Sequence, residues 1–107
     1  MNLKSANDEA DIAYAAVRSG SARLHERAQS ALAGGVTHDQ RIQNPFPIMV
    51  ARADGARKWD VDGNEYVDYT MGHGALILGH SHPLPVQAVQ AQLGLGTHYG
   101  AGHELEI

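Results

Sequence analysis

The chain has 107 residues, a formal net charge of −4 and no cysteine. This length is enough for one small domain at most, and the mild acidity argues against a nucleic-acid partner, which would require a basic face. No segment approaches the roughly 20 apolar residues of a membrane helix, and the polar residues Met1–Ala10 do not read as a secretory signal. The lack of cysteine excludes disulfides and thiolate chemistry and is typical of a cytoplasmic protein.

The first third of the chain is predicted to contain a polar arm and one helix. Residues 1–20 are polar with few apolar positions, and we expect a loosely attached arm with at most a short helix. From Ser21, whose hydroxyl can cap a helix, apolar residues recur at helical spacing. These residues are Leu24, Ala28, Ala31 and Leu32. The pair Gly34-Gly35 is expected to end the helix, because glycine adopts the left-handed cap conformation at little cost.

The middle of the chain has the period-two pattern of β-strands. We predict strands over Ile48–Ala53, Ala56–Val61 and Glu65–Tyr69, joined by tight turns at Asp54-Gly55 and Asp62-Gly63-Asn64. Together they form a small antiparallel meander of three strands. Its aromatic residues are expected to form the core of the meander rather than a surface for stacking bases. These residues are Trp59, Tyr66 and Tyr69.

The last third is glycine-rich and then helical. Residues Met71–His82 are predicted to form a buried or half-buried loop, and Pro83 suits the first turn of a helix. The apolar positions of this helix are Val86, Val89 and Leu93, and the closing glycines are Gly94 and Gly96. Residues 103–107 resemble the first turn of another helix. Because a helix, a meander and a second helix leave the sheet edges uncovered, the sequence predicts an α+β segment of a larger unit.

A series of motifs runs from Ser21 to Ile107 in a fixed order. It reads Gly34-Gly35-Val36, Arg41, Ala53-Asp54-Gly55-Ala56, Trp59-Asp60-Val61-Asp62-Gly63-Asn64-Glu65-Tyr66-Val67-Asp68-Tyr69, Leu76-Ile77-Leu78-Gly79-His80-Ser81-His82-Pro83, and Tyr99-Gly100-Ala101 with Glu104 and Glu106. This series resembles the N-terminal segment of the class III aminotransferases, which depend on pyridoxal 5'-phosphate (PLP). Within that family it is most similar to the glutamate-1-semialdehyde 2,1-aminomutase branch.

The resemblance implies an α+β segment (N-terminal helix, three-stranded antiparallel meander, helix) of a fold-type I PLP-dependent α/β enzyme. Such an enzyme is a homodimer with active sites at the subunit interface, and it moves an amino group between an amino acid or amine and an oxo acid or aldehyde. Residues 21–107 are expected to end before the main cofactor-binding domain. The family's cofactor-bearing lysine lies further along, and neither Lys4 nor Lys58 matches it. We therefore assign no catalytic residue in this segment and expect the chain alone to be inactive.

Two side chains are predicted to contact the substrate. The resemblance places Arg41 at the substrate carboxylate, which a guanidinium fork can bind in bidentate fashion; the alternative is a solvated loop arginine. His73 lies between Gly72 and Gly74, and glycines allow the backbone to approach a ligand closely. We predict that His73 contacts the substrate; the alternatives are a place near the cofactor and a polar loop residue without a role in binding. Gly72, Gly74 and His98 are predicted to lie close to the cofactor.

Other polar groups are assigned structural roles. His80 and His82 share one face of an extended segment, but no third ligand follows at a zinc spacing, so we predict no metal site. Glu104 and Glu106 are interpreted as carboxylates at a helix start. Residues 74–81 nearly match a phosphate-binding loop but lack its lysine, which argues against nucleotide binding.

Three differences from the aminomutase pattern leave the reaction open. After Gly-Gly-Val the aminomutases usually read Ser-Pro-Val-Arg, whereas this chain reads Thr37-His38-Asp39-Gln40-Arg41. His73 stands where they have a tryptophan, and Gly102-His103 replaces Pro-Thr. All three fall around the expected substrate pocket. Amino transfer between two substrates and intramolecular transfer therefore remain alternatives, and a non-catalytic truncated module is the alternative from another class.

Overall fold

The computed structural model describes residues 3–107, which contain three α-helices, three strands and three short 3-10 turns. The helices are α1 (Leu3–Ala16), α2 (Ser19–Gln29) and α3 (Pro83–Leu93), and the strands are β1 (Val50–Asp54), β2 (Arg57–Asp60) and β3 (Glu65–Val67). The 3-10 turns are Ala33–Gly35, Asp39–Arg41 and Glu104–Glu106. None of the helices in this part of the chain has both the length and the apolar content that crossing a bilayer requires.

The three strands form an antiparallel sheet in the order β1-β2-β3, which confirms the predicted meander. Asp54 pairs with Arg57, so the turn between β1 and β2 is Gly55-Ala56 and the predicted Asp54-Gly55 turn was wrong by one residue. Asp54 stays in the ladder because Gly55, with a φ of 51°, takes the left-handed conformation at the first turn position. Strand β3 ends at Val67, earlier than predicted, because the carboxylate of Asp68 accepts a hydrogen bond from the Thr70 amide and turns the chain.

Helix α2 differs from its prediction at both ends. Ser21 is not the cap, since the helix begins at Ser19 and the Ser21 side chain is fully buried. The Ser21 hydroxyl donates to Oδ2 of Asp62 at 3.1 Å, so it joins the helix to the meander. The helix ends at Gln29, because the Ser30 hydroxyl donates to a carbonyl of the last turn at 2.7 Å. The pair Gly34-Gly35 lies in the 3-10 turn that follows, with positive φ at both residues.

Helix α1 occupies most of the segment for which a polar arm is predicted; residues 1 and 2 of that arm lie outside the described residues. The Tyr14 ring packs edge-on against Phe46 with centroids 5.2 Å apart, and its hydroxyl donates to the Phe46 carbonyl at 2.9 Å. The Arg18 guanidinium lies 4.1 Å from the centre of the Tyr14 ring, and its Nε donates to the Tyr66 hydroxyl at 2.8 Å. These contacts attach the end of α1 to the sheet.

The described residues form an elongated body with little buried apolar surface. The radius of gyration is 18.1 Å, against about 13 Å for a compact domain of about 100 residues. Phe46 is the one large apolar side chain that is buried between residues 7 and 107. Tyr69 is 93% exposed and Ile77 is 88% exposed. The prediction of Tyr69 as core was therefore wrong. The loop Met71–His82, predicted as buried or half-buried, is exposed at most of its positions and half-buried at the others.

Helix α3 begins at Pro83, as predicted, and Gly94 follows its last residue. The His82 side chain caps it, because Nδ1 accepts a hydrogen bond from the Leu84 amide at 3.3 Å. No residue of α3 is buried and none is charged, so the helix presents apolar side chains such as Leu93 to solvent. A helix that is apolar on several faces is typical of one that packs inside a larger protein.

Candidate functional site

Asp60, the first aspartate after Trp59, organises the turn between β2 and β3. Its carboxylate accepts hydrogen bonds from the Asp62 amide (3.0 Å), from the Asn64 amide and side chain (2.8 and 2.9 Å) and from the Tyr66 hydroxyl (2.7 Å). Burial raises the pKa of Asp60, but the bonds from Asn64 and Tyr66 outweigh it and leave that pKa below its usual value. Asp60 is therefore an ionised structural residue of the turn.

Asp62, two residues later, caps helix α2 from a distance. It accepts hydrogen bonds from the Gly20 amide at 2.6 Å and the Ser21 amide at 2.9 Å, which belong to the first turn of the helix. A carboxylate there satisfies amides that have no partner within the helix and is favoured by the helix dipole. Glycine at position 20 leaves room for this contact, because a Cβ there would lie 2.8 Å from the Asp62 oxygen and would displace the carboxylate. This contact was not predicted, because Asp62 lies 42 positions from Gly20 and 41 from Ser21 in the sequence.

Asp68 is the centre of the largest charged cluster in the described part of the chain. Its side chain is 5% exposed, and its two oxygens lie 2.7 Å from Nε2 of His80 and 3.3 Å from Nζ of Lys58. The same carboxylate accepts from the amides of Thr70 (3.0 Å) and Met71 (3.3 Å). The hydrogen bond with His80, followed by the two amides and Lys58, holds the pKa of Asp68 well below its usual range despite burial, which raises it.

The backbone makes a left-handed helical turn over Met71–Gly74, which begins at the second of the two amides bonded to Asp68. The φ angles of Met71, Gly72, His73 and Gly74 are 45°, 61°, 59° and 83°. Hydrogen bonds close the turn from the Gly74 amide to the Thr70 carbonyl (3.0 Å) and from the Leu76 amide to the Met71 carbonyl (3.0 Å). L-residues rarely adopt this conformation, and such strain is concentrated at functional sites. The turn brings together three predicted site residues, and it leaves His73 exposed at its tip.

The far end of the same loop is fixed by the β1–β2 turn. The amide of Gly55 donates to the carbonyl of His80 at 3.0 Å, and the amide of His80 donates to the carbonyl of Gly55 at 2.8 Å. Gly79 contacts this turn so closely that a Cβ would lie 3.1 Å from the Gly55 backbone, and its φ is 90°. The loop that carries His73 is therefore attached to the meander at its beginning, through Asp68, and at its end, through His80.

Arg41 lies at the end of a 3-10 turn on the exposed surface. Its Nη1 atom donates to the Thr37 hydroxyl at 2.8 Å, which is a neutral partner. Nothing within residues 3–107 joins Arg41 to His73 or to His98 by a hydrogen bond or an ion pair. The structure therefore shows an exposed guanidinium without an acidic partner among the described residues, and no direct polar contact between Arg41 and His73 or His98.

His98 lines an open groove after helix α3. The groove is organised by Tyr99, whose hydroxyl accepts a hydrogen bond from the Gln92 side chain at 2.7 Å and whose ring stacks on His103 at 5.0 Å. Gly96 is required beside it, because a Cβ would lie 2.9 Å from the Tyr99 ring. The His103 side chain also accepts from an amide of the final 3-10 turn, so His103 is the residue that caps this turn. Tyr99 belongs to the last of the sequence motifs, but no contact was predicted for it.

These features define the class of protein. Two helices lead into an antiparallel meander, and a pinned glycine-rich loop leads from the meander into a third helix. That arrangement is the N-terminal segment of a fold-type I α/β enzyme, as a comparison with solved structures shows.

The β-phenylalanine aminotransferase of Variovorax paradoxus has a TM-score of 0.86 at 28% identity, with 98% of this chain and 24% of that chain covered. A structure described as a transaminase with PLP bound has a TM-score of 0.76 at 37% identity, with 84% and 21% covered.

The chain belongs to the class III aminotransferase family, whose model matches residues 38–104. The glutamate-1-semialdehyde 2,1-aminomutase of Methanosarcina acetivorans is 41% identical over 87 residues, which cover 81% of this chain and 20% of that protein. The chain therefore spans about a fifth of the length of the curated relatives that it matches. The predicted fold class and family are confirmed.

A solved relative is described with PLP bound, and the resemblance implies that a lysine of the full-length protein carries this cofactor. Lys58 is the lysine among the side chains that the structure describes, and its amine is paired with Asp68 at 3.3 Å, inside the cluster that supports the loop. The Lys58 amine forms an ion pair with the Asp68 carboxylate, so it is not available to bind the aldehyde of PLP. The described residues therefore offer no free lysine amine for the cofactor. This agrees with the expectation that the cofactor-bearing lysine lies further along the full-length protein.

Proposed function

We propose that the full-length protein is a PLP-dependent aminotransferase that moves an amino group between an amino acid or amine and an oxo acid or aldehyde. The observation that carries this proposal is the family match over residues 38–104, which includes the loop with His73. We further propose a cytoplasmic homodimer with its active sites at the subunit interface. The exposed apolar side chains of α3 and of Ile77 support a larger assembly, because such surface is normally covered by the rest of the protein or by a second subunit.

Within that enzyme, this segment contributes to substrate binding. Arg41 binds the substrate carboxylate, for which its exposed and uncompensated guanidinium is suited. His73 contacts the substrate from the tip of the left-handed turn, and Gly72, Gly74 and His98 lie near the cofactor. The same exposed surface argues against the non-catalytic alternative, because a self-contained module would bury more of its apolar side chains.

The role of Arg41 can be tested with a pair of amino donors, an α-amino acid and an amine of similar size without a carboxylate. Arg41→Ala is expected to raise KM for the amino acid about tenfold to hundredfold, because it removes charge-assisted hydrogen bonds. KM for the amine should not change. Arg23→Ala is the matched control, since Arg23 is also exposed and its side chain makes no hydrogen bond or ion pair within the described residues. An equal loss with both donors, or with both variants, would contradict the proposed role.

Intramolecular transfer is the second candidate, and the 41% identity to an aminomutase favours it. The discriminating experiment supplies glutamate-1-semialdehyde as the sole substrate. A mutase consumes it without any amino acceptor, whereas a transferase requires a second substrate for continued turnover. The substitutions at His73 and at Gly102-His103, which differ from the aminomutase pattern, favour the transferase outcome.

A further inference from the structure

The left-handed turn Met71–Gly74 requires support from outside itself. Glycine accepts positive φ readily, but Met71 and His73 are L-residues with φ of 45° and 59°. L-residues seldom adopt this left-handed conformation, and a strained backbone persists only where its surroundings fix it. The loop beyond the turn is largely exposed, so packing by apolar neighbours within the described residues does not fix it.

The Asp68 cluster is placed to give this support. One of its oxygens accepts from the amide of Thr70, which directly precedes the turn, and from the amide of Met71, the first residue of the turn. The other oxygen lies 2.7 Å from Nε2 of His80, whose backbone is paired with Gly55 at the far end of the loop. One buried carboxylate therefore ties both ends of the loop together. Lys58, at 3.3 Å on strand β2, fixes that carboxylate to the sheet.

We infer that Asp68 is a positioning residue, which sets the left-handed turn Met71–Gly74 and thereby the place of the His73 imidazole. The consequence for substrate binding rests on the proposed function of His73, whereas the consequence for the turn does not. A carboxylate that fixes a loop in this way acts through geometry, and displacement of a contact group by about 1 Å can lower the rate substantially.

The experiment uses the full-length holoenzyme with Asp68→Asn, which keeps the shape of the side chain and removes its charge. Asp60→Asn is the matched control, because Asp60 is an equally buried carboxylate that accepts four hydrogen bonds in the neighbouring turn. Hydrogen exchange of a peptide covering residues 70–76 reports the amides of Gly74, Ala75 and Leu76, which are bonded within the turn. Exchange there should accelerate roughly tenfold in Asp68→Asn and stay unchanged in Asp60→Asn.

Kinetics separate the two consequences. If His73 binds substrate, His73→Ala lowers kcat/KM in the parent enzyme and has little further effect in Asp68→Asn, because the imidazole is already displaced. If His73→Ala has parent kinetics while Asp68→Asn still loosens the turn, the proposed role of His73 fails and the positioning role of Asp68 stands.

Unchanged exchange over residues 70–76 in Asp68→Asn overturns the inference, and so does equal acceleration in Asp60→Asn. Should Asp68→Asn fail to accumulate, His80→Gln removes one of the two loop ends from the carboxylate and is judged by the same peptide. Acceleration in His80→Gln supports the inference, and parent-like exchange contradicts it.

Discussion

Removal of the Tyr66 hydroxyl tests the network that joins helix α1 to the meander. The hydroxyl donates to Asp60 at 2.7 Å and accepts from Nε of Arg18 at 2.8 Å. A hydrogen bond to a charged group contributes about 1.5–3 kcal/mol. Both partners keep other contacts, since Asp60 retains three N–H donors and Arg18 still donates to the Tyr14 carbonyl at 3.1 Å. We therefore expect Tyr66→Phe to lower the free energy of local opening by about 1–2 kcal/mol.

The assay is native-state hydrogen exchange of the β2 and β3 amides in the full-length protein, because one unfolding free energy is not well defined for a large cofactor-binding enzyme. The expected loss corresponds to exchange that is about 5- to 30-fold faster. Tyr69→Phe is the control, since it removes the same hydroxyl from a side chain that is 93% exposed. Equal exchange in the two variants would refute the reasoning.

Three further predictions follow from the aspartates and glycines. Asp62→Ala should accelerate hydrogen exchange in the first turn of α2, whereas Asp54→Ala, at an exposed strand end, should not. The pKa of Asp68 in the folded protein lies below its usual value of about 3.9. The stabilisation by its carboxylate is therefore present above about pH 5 and is lost as the pH falls. In thermal scans, acidification should lower the stability of Asp68→Asn less than that of the parent protein. By native-state hydrogen exchange, Gly79→Ala should lower the free energy of local opening by about 1–3 kcal/mol because of its positive φ and close contact. Gly94→Ala, in open space, should change local opening by less than about 1 kcal/mol.

The sequence predicted the parts of the fold that depend on local pattern. The alternation of residues 48–69 was sufficient for the three strands, and Pro83 marked the start of α3 because its ring fits the first helical turn. The start of α2 was wrong because it depends on Asp62, a partner 41 residues away from Ser21. Its end was wrong because the Ser30 hydroxyl bonds back to the last turn. The prediction that Tyr69 is buried was wrong. The alternation of apolar and polar residues predicts which face of the sheet a residue occupies, but it does not predict whether another element covers that face.

The candidate site was predicted in part. Gly72, His73 and Gly74 do lie together, since a short glycine-rich run brings its own residues close. The role of Asp68 was not foreseen, because it depends on contacts with Lys58 and His80 that no local spacing encodes. A signal was nevertheless present: an aspartate directly after a strand often accepts hydrogen bonds from the next two or three amides. The substrate roles of Arg41 and His73 remain predictions.

The long-range cap on helix α2 also has a consequence for the order of events during synthesis. Helix α2 is translated first, but the carboxylate that receives its first-turn amides is made 41 residues later. A helix of 11 residues is only marginally stable in water on its own. The nascent helix therefore gains its full stability when the β2–β3 turn has emerged and folded, so that helix and meander form as one cooperative unit rather than in succession.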